Sequence, residues 1–186
     1  ADGKEIHNYA NYNIVGLTTE SWKTITYTSQ NHTVDKDGHE DPITDTGYSR
    51  QPTHNYVQGM QAEDVQYQLI VENTSVQDLE NFVIIDRLPF VGDKGLVSDY
   101  ERNSAFEVAF KQIDSVTVGG TGVTYKVSYS KDKESPLNEY SGDWRGQNDI
   151  MNWSDSAEGA YNFRIEIDPS VVVKPDEQVV VTFTGT

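Results

Sequence analysis

The sequence predicts an all-β protein, and three observations carry that reading. Alternation of apolar and polar residues, built from β-branched and aromatic side chains, recurs in run after run of the chain. Helical periodicity is almost absent. Turn residues separate the alternating runs, as in a sandwich or a barrel.

The runs follow in order. "WKTITYT" (22–28) sets Trp22, Thr24, Thr26 and Thr28 against Lys23, Ile25 and Tyr27. "DVQYQLIVEN" (64–73) puts Val65, Tyr67, Leu69 and Val71 on one face, with Gln66 and Gln68 opposite. "NFVIIDR" (81–87), "AFEVAFK" (105–111), "DSVTVGG" (114–120), "VTYKVSYS" (123–130), "YNFRIEID" (161–168) and "QVVVTFTGT" (178–186) complete the set. "VENTSVQDLEN" joins two of them through a polar turn, and "GGTG" (119–122) reads as a hairpin. No strong internal repeat appears. Residues 1–60 read as N-terminal strands and an acidic loop packed on the same domain, and 61–186 as the β-sandwich module. Residues 30–63 and 131–160 show little alternation. Structureless loops of that length are uncommon in compact domains, so each is expected to hold short strands or to pack on the sheets.

Composition limits what the chain can do. The 186 residues allow one large domain, but hydrophobic residues are only 35%, against roughly 45–50% on a similar count in ordinary globular domains. A thin or elongated core follows. The net charge of −16 repels polyanions, so nucleic acid and anionic membranes are poor partners. No apolar run is long enough to cross a membrane. Cysteine is absent, which removes disulfides, zinc-thiolate sites and cysteine nucleophiles. The opening "ADGKEIHNYA" has neither a basic start nor an apolar core, so it is not read as a signal peptide. The chain reads as a piece of something longer, with targeting signals outside it.

"NFVIIDRLPFVGDKG" (81–95) marks a strand exit. Pro89 has no backbone donor, so a central strand should end before it. Val83 and Ile85 alternate with Ile84, which predicts that both faces are covered. Asp86 at the strand end is expected to accept hydrogen bonds from turn amides. Leu88 and Phe90 are expected to plug the core while Gly92 and Asp93 turn the chain.

The span "DVQYQLIVENTSVQDLENFVIIDRLP" resembles the repeat modules of Gram-positive bacterial surface proteins and pilus-like adhesins, through Asp64, Tyr67, Asn73, Asp86, Leu88 and Pro89. "NWSDSAEGAYNFRIEID" and "VVVKPDEQVVVTF" are similar to the closing half of such modules, so the resemblance covers roughly residues 60–186. It implies an Ig-like antiparallel β-sandwich with long loops, in a cell-wall-attached, extracellular protein of several modules. Many modules of that kind carry an internal isopeptide bond between Lys and Asn, assisted by a buried acid, and the carry-over to this sequence is incomplete. On this sequence Lys23 would be the amine, Asp64 or Asp86 the acid and Asn162 the amide. The final strand lacks an Asn where many relatives place one.

Other constellations favour plainer readings. "DKDGHED" (35–41) offers alternating oxygen ligands around a glycine, and calcium is the one cofactor it would suit. Counting Asp37 as the fifth loop position puts Thr33 first and Thr44 twelfth, neither a carboxylate, so a solvated acidic turn explains it better. His7, His32, His39 and His54 form no metal or catalytic spacing. "NEYSGDWRGQNDIMNWSD" (138–155) combines aromatic rings with Asp, Asn and Gln in the manner of a sugar site. The plainer reading makes Trp144 and Trp153 plugs beneath a long loop. Three glycosylation triplets, starting at Asn31, Asn73 and Asn152, are read as accidental in a bacterial chain. The expected function is therefore a non-catalytic structural or adhesive module. Its expected partners are neighbouring domains of the same surface protein and a host or environmental glycan or protein. The alternatives are a glycan-binding module using 131–160 and, behind it, a fragment of a hydrolase.

Overall fold

A computed structural model describes residues 9–10, 19–27, 32–34, 40–42, 64–96, 101–134 and 151–186. Among these the protein is all-β, and every strand pairing is antiparallel. The strands are β1 (Tyr9–Ala10), β2 (Thr19–Tyr27), β3 (His32–Val34), β4 (Glu40–Pro42), β5 (Val65–Asn73), β6 (Leu79–Glu80) and β7 (Val83–Arg87). Then come β8 (Phe110–Val118), β9 (Thr121–Gly122), β10 (Tyr125–Ser130), β11 (Asn162–Ile167), β12 (Val172–Val173) and β13 (Gln178–Gly185). One sheet has the order β2-β5-β13-β8-β9 and a second has β1-β7-β11-β10. β3 pairs β4, and β6 pairs β12.

The two larger sheets share one core. The first contributes Tyr67, Leu69 and Val71 from β5, and Val179, Val181 and Phe183 from β13. The second contributes Ile84 from β7, and Phe163 and Ile165 from β11. All alternate with polar or outward neighbours, so the period of two in the sequence becomes the inner faces. Phe163 and Phe183 meet edge to face at 4.8 Å between ring centroids. β7 is covered on its other side too, by a smaller cluster of Ile85, Leu96 and Met151 with Val83 and Trp153. Leu88 and Phe90 are buried past the strand end, and Gly92, at φ 81°, turns the chain.

Two expectations need correction. "AFEVAFK" and "DSVTVGG" are not two strands: a single β8 spans Phe110–Val118. Residues 105–109 lead into it, with Phe106 exposed and only Val108 inserted, bonded through its amide to the Pro89 carbonyl. Apolar residues at every second position carry the strand pattern upstream of the ladder, which the chain joins only at Ala109 and Phe110. "GGTG" does make a tight turn, with Gly119 and Gly120 at positive φ, yet it returns only as the two-residue β9. The chain then crosses to β10 in the opposite sheet. Within residues 30–63, the short strands β3 and β4 pair with each other.

Candidate functional site

The inner face of β2 carries a charge into the core. Lys23 lies opposite Leu69 on β5, so it shares the face of Tyr67 and points between the sheets. Its Nζ donates to Asp86 Oδ2 at 2.6 Å, and the two side chains are 6% and 4% exposed. Asp86 is on β7, paired with Phe163, so this ion pair ties the two sheets across the core. The ammonium also lies 4.9 Å from the Tyr67 ring centroid and 5.2 Å from that of Phe183. Those rings stack on each other at 5.0 Å. A cation over aromatic faces and beside one carboxylate keeps part of the solvation it lost.

Burial nonetheless wins. It pulls the Lys23 pKa below the ordinary lysine value of 10.5, and the Asp86 carboxylate offsets only part of that. Arg102 pushes the same way as burial. The Tyr67 hydroxyl is driven well above its usual range, by burial first and by Asp86 second. An amine so placed deprotonates more readily than a surface lysine and has a carboxylate within proton-transfer distance. That is the equipment of a nucleophile with an acid-base partner.

Condensation with an amide would need an Asn side chain at Nζ, losing ammonia as the new C–N bond forms. Asn162 is not there. It pairs with Arg87 in the β7–β11 ladder, one residue out of phase with the inward Phe163, and so belongs to the opposite face. Its Oδ1 accepts from Arg87 Nε at 2.8 Å, and its Nδ2 donates to the Asp132 carbonyl at 2.7 Å. Asp64 is equally remote from Lys23. It sits on the surface, where Lys111 and then the Thr186 hydroxyl hold its carboxyl below the usual range. Of the residues assigned to the cross-link, the fold joins Lys23 to Asp86 and leaves Asp64 and Asn162 elsewhere. Asp86 takes an ammonium rather than turn amides. The turn carboxylate is Asp93, which accepts from Ser104 N and Oγ and pairs with Arg102 at 3.0 Å.

A second polar cluster lies on the outer side of β7, and sequence reasoning missed it. The Arg87 side chain bonds Asn162 Oδ1 and the carbonyls of Lys94, Asp132 and Glu134. Burial, and then Arg102, lower its pKa to about 10. Asp132 accepts from Asn152 N at 2.7 Å, and Tyr129 and Ser154 exchange two backbone bonds. Together these close the base of the segment that leaves β10 and returns at Met151. A third cluster surrounds Asn73. Its amide donates to the Gln77 and Val173 carbonyls, and Ser75 donates to its Oδ1. The Asn at the end of this strand, part of the motif noted in the sequence, therefore fastens two turns to one pole.

Of the proposed sugar site, Tyr140 and Trp144 lie outside the described residues. Trp153 is half-buried against Ile85, Leu96 and Met151, with the Arg164 guanidinium 4.7 Å from its ring, so it is a plug. A groove of about 470 Å³ opens elsewhere, between the turn at Asn81 and Tyr125, Lys126, Glu166 and Asp168. Residues 35–39 of the acidic loop, and His7, His39 and His54, lie outside the described residues. His32, in β3, has only its backbone described. Among the described residues, no three His, Asp or Glu side chains are grouped to hold a metal. The chain matches no family model, no curated protein and no solved structure.

Proposed function

We propose that the chain is a non-catalytic structural or adhesive module of a bacterial cell-surface protein, folded as an Ig-like β-sandwich. The observation that carries this reading is the Lys23–Asp86 pair, a charged tie between two antiparallel sheets in a chain with no cysteine. A net charge of −16 supports it, since such a surface stays soluble and resists self-association outside the cell. The Arg87 and Asn73 clusters fasten loops and turns to the sheets, which suits a stiff, protease-resistant spacer. Its partners are the adjoining modules of the same protein and a glycan or protein of the host or surroundings, and it attaches to the wall through regions beyond this chain.

Labelling of intact cells of the producing organism with a membrane-impermeant amine reagent tests the reading. The protein should be labelled before lysis. Labelling that appears only after lysis would reject the surface location and with it the module. Intact mass tests the cross-link separately. The full sequence mass is expected from the placement of Asn162, and a deficit of one ammonia would show a cross-link made elsewhere, a Lys–Asn isopeptide or a Thr–Gln ester, which peptide mapping would locate.

A further inference from the structure

The strand registers point to a use for this architecture under tension. β2 pairs with β5 over nine residue pairs, from Thr19↔Asn73 to Tyr27↔Val65. β13 pairs with the other edge of β5 over eight, from Gln178↔Glu72 to Gly185↔Val65. Both are antiparallel to β5, so β2 and β13 run in the same direction. β2 is therefore entered at the Asn73 pole, while β13 is left at the Val65 pole.

We propose that the β2-β5-β13 unit is a shear clamp, built to bear tension applied between the N-terminal side of β2 and the C-terminal side of β13. Such tension draws β2 out of one pole and β13 out of the other. Both ladders are then loaded along their length, nine residue pairs (about 30 Å) for β2 and eight (about 26 Å) for β13 at about 3.3 Å each, instead of opening one pair at a time. The two pairs that β1 makes with β7 give way first and leave the clamp intact.

Three further features oppose slippage. β13 is held on its second edge by β8, so it must shear past two neighbours. Lys23, in the middle of β2, is tied across the core to Asp86, and a slip of one residue would turn its side chain to the other face. Both poles are locked. Asn73 exchanges backbone bonds with Glu177 and Asp176 at the start of β13. At the far end, Thr186 exchanges two backbone bonds with Ala109 and adds a hydroxyl bond to Asp64.

The clamp rests on the surface-module reading for its purpose, while its geometry rests on the registers alone. Single-molecule force spectroscopy on the whole chain tests it, and the absence of native cysteine makes thiol handles unambiguous. With handles at the two chain ends, rupture should need several-fold more force than with one handle at Thr26→Cys and the other at the C-terminus. Thr26 pairs with Gln66 beside the β13 exit, so that second geometry peels β2 away from a single pole. Thr24→Cys serves the same end if Thr26→Cys does not fold. Equal forces in the two geometries would overturn the clamp. They would leave the surface-module reading in place, since cell labelling decides that independently.

Discussion

Asp86 and Arg87 are neighbours on β7, and the period of two sends them into opposite surroundings. Asp86 faces inward and meets one ammonium beneath two aromatic rings. Arg87 faces outward, where loops cover it, and meets an amide oxygen and three backbone carbonyls. Each is nearly removed from water, at 3% and 2% exposure. The inner site neutralises charge with charge and uses few hydrogen bonds. At the outer site no carboxylate among the described residues pairs directly with the guanidinium, although Asp93, Glu134 and Asp132 act on it from a distance, and the charge is distributed over carbonyl dipoles. One site connects sheet to sheet; the other connects sheet to loop. Loss of either residue should therefore have different consequences.

The largest effect is expected at the inner site. Asp86→Ala leaves the Lys23 ammonium buried with no carboxylate, which costs about 3–5 kcal/mol by the usual penalty for an orphaned buried charge. Urea denaturation would measure it as a lower midpoint at unchanged slope. Lys23→Met with Asp86→Leu removes both charges and should return to wild-type stability or exceed it by about 1–4 kcal/mol. A double variant as unstable as the single one would show that the pair, and not merely its balance, holds the sheets together.

The outer site should respond locally. Arg87→Met strands the three carbonyls and the Asn162 oxygen, at about 1–3 kcal/mol for a buried group left unsatisfied, some of it recovered by entering water. Limited proteolysis should then cut between residues 132 and 152 faster, while the sheets keep their protection. Uniform loss of protection would mean that Arg87 supports the core as Asp86 does. A smaller loss, about 1 kcal/mol, is expected for Asn152→Ala, which removes side-chain bonds to Asp132 but keeps the backbone bond.

The difference between the two sites also explains what could be read from the sequence. Inner faces were legible because alternation marks them: Tyr67, Leu69 and Val71 face inward as the pattern requires. Lys23 and Asp86 were singled out, but 63 residues separate them, and no local pattern fixes which of two acids meets the lysine. Asn162 could have been excluded from the same alternation, since Phe163, Ile165 and Ile167 claim the inner face and leave Asn162 on the other. The Arg87 cluster had no signal at all. Its acceptors are mostly backbone carbonyls, which every residue type supplies. The run at 105–111 shows the converse: its alternation begins upstream of the ladder, which takes it up only from Ala109 and Phe110 onward.

Alkaline titration separates the two buried cations most finely. In both, the folded pKa lies below the unfolded one, so over the interval between them the unfolded chain binds more protons and stability rises with pH. For Lys23 that interval ends at 10.5; for Arg87 it begins at about 10 and runs up to the ordinary arginine value. Tyr67 acts oppositely, because its raised pKa keeps the folded phenol protonated after the unfolded one ionises near 10.0. Below about pH 10, then, Lys23 alone of the three contributes a slope, of at most about 1.4 kcal/mol per pH unit for one proton. Wild type should gain stability relative to the Lys23→Met, Asp86→Leu variant as pH rises toward 10, as chemical denaturation at a series of pH values would record. A gap that shrinks with rising pH would mean that Asp86 outweighs burial and raises the lysine pKa, so the inner site would be a net-favourable ion pair rather than a strained one.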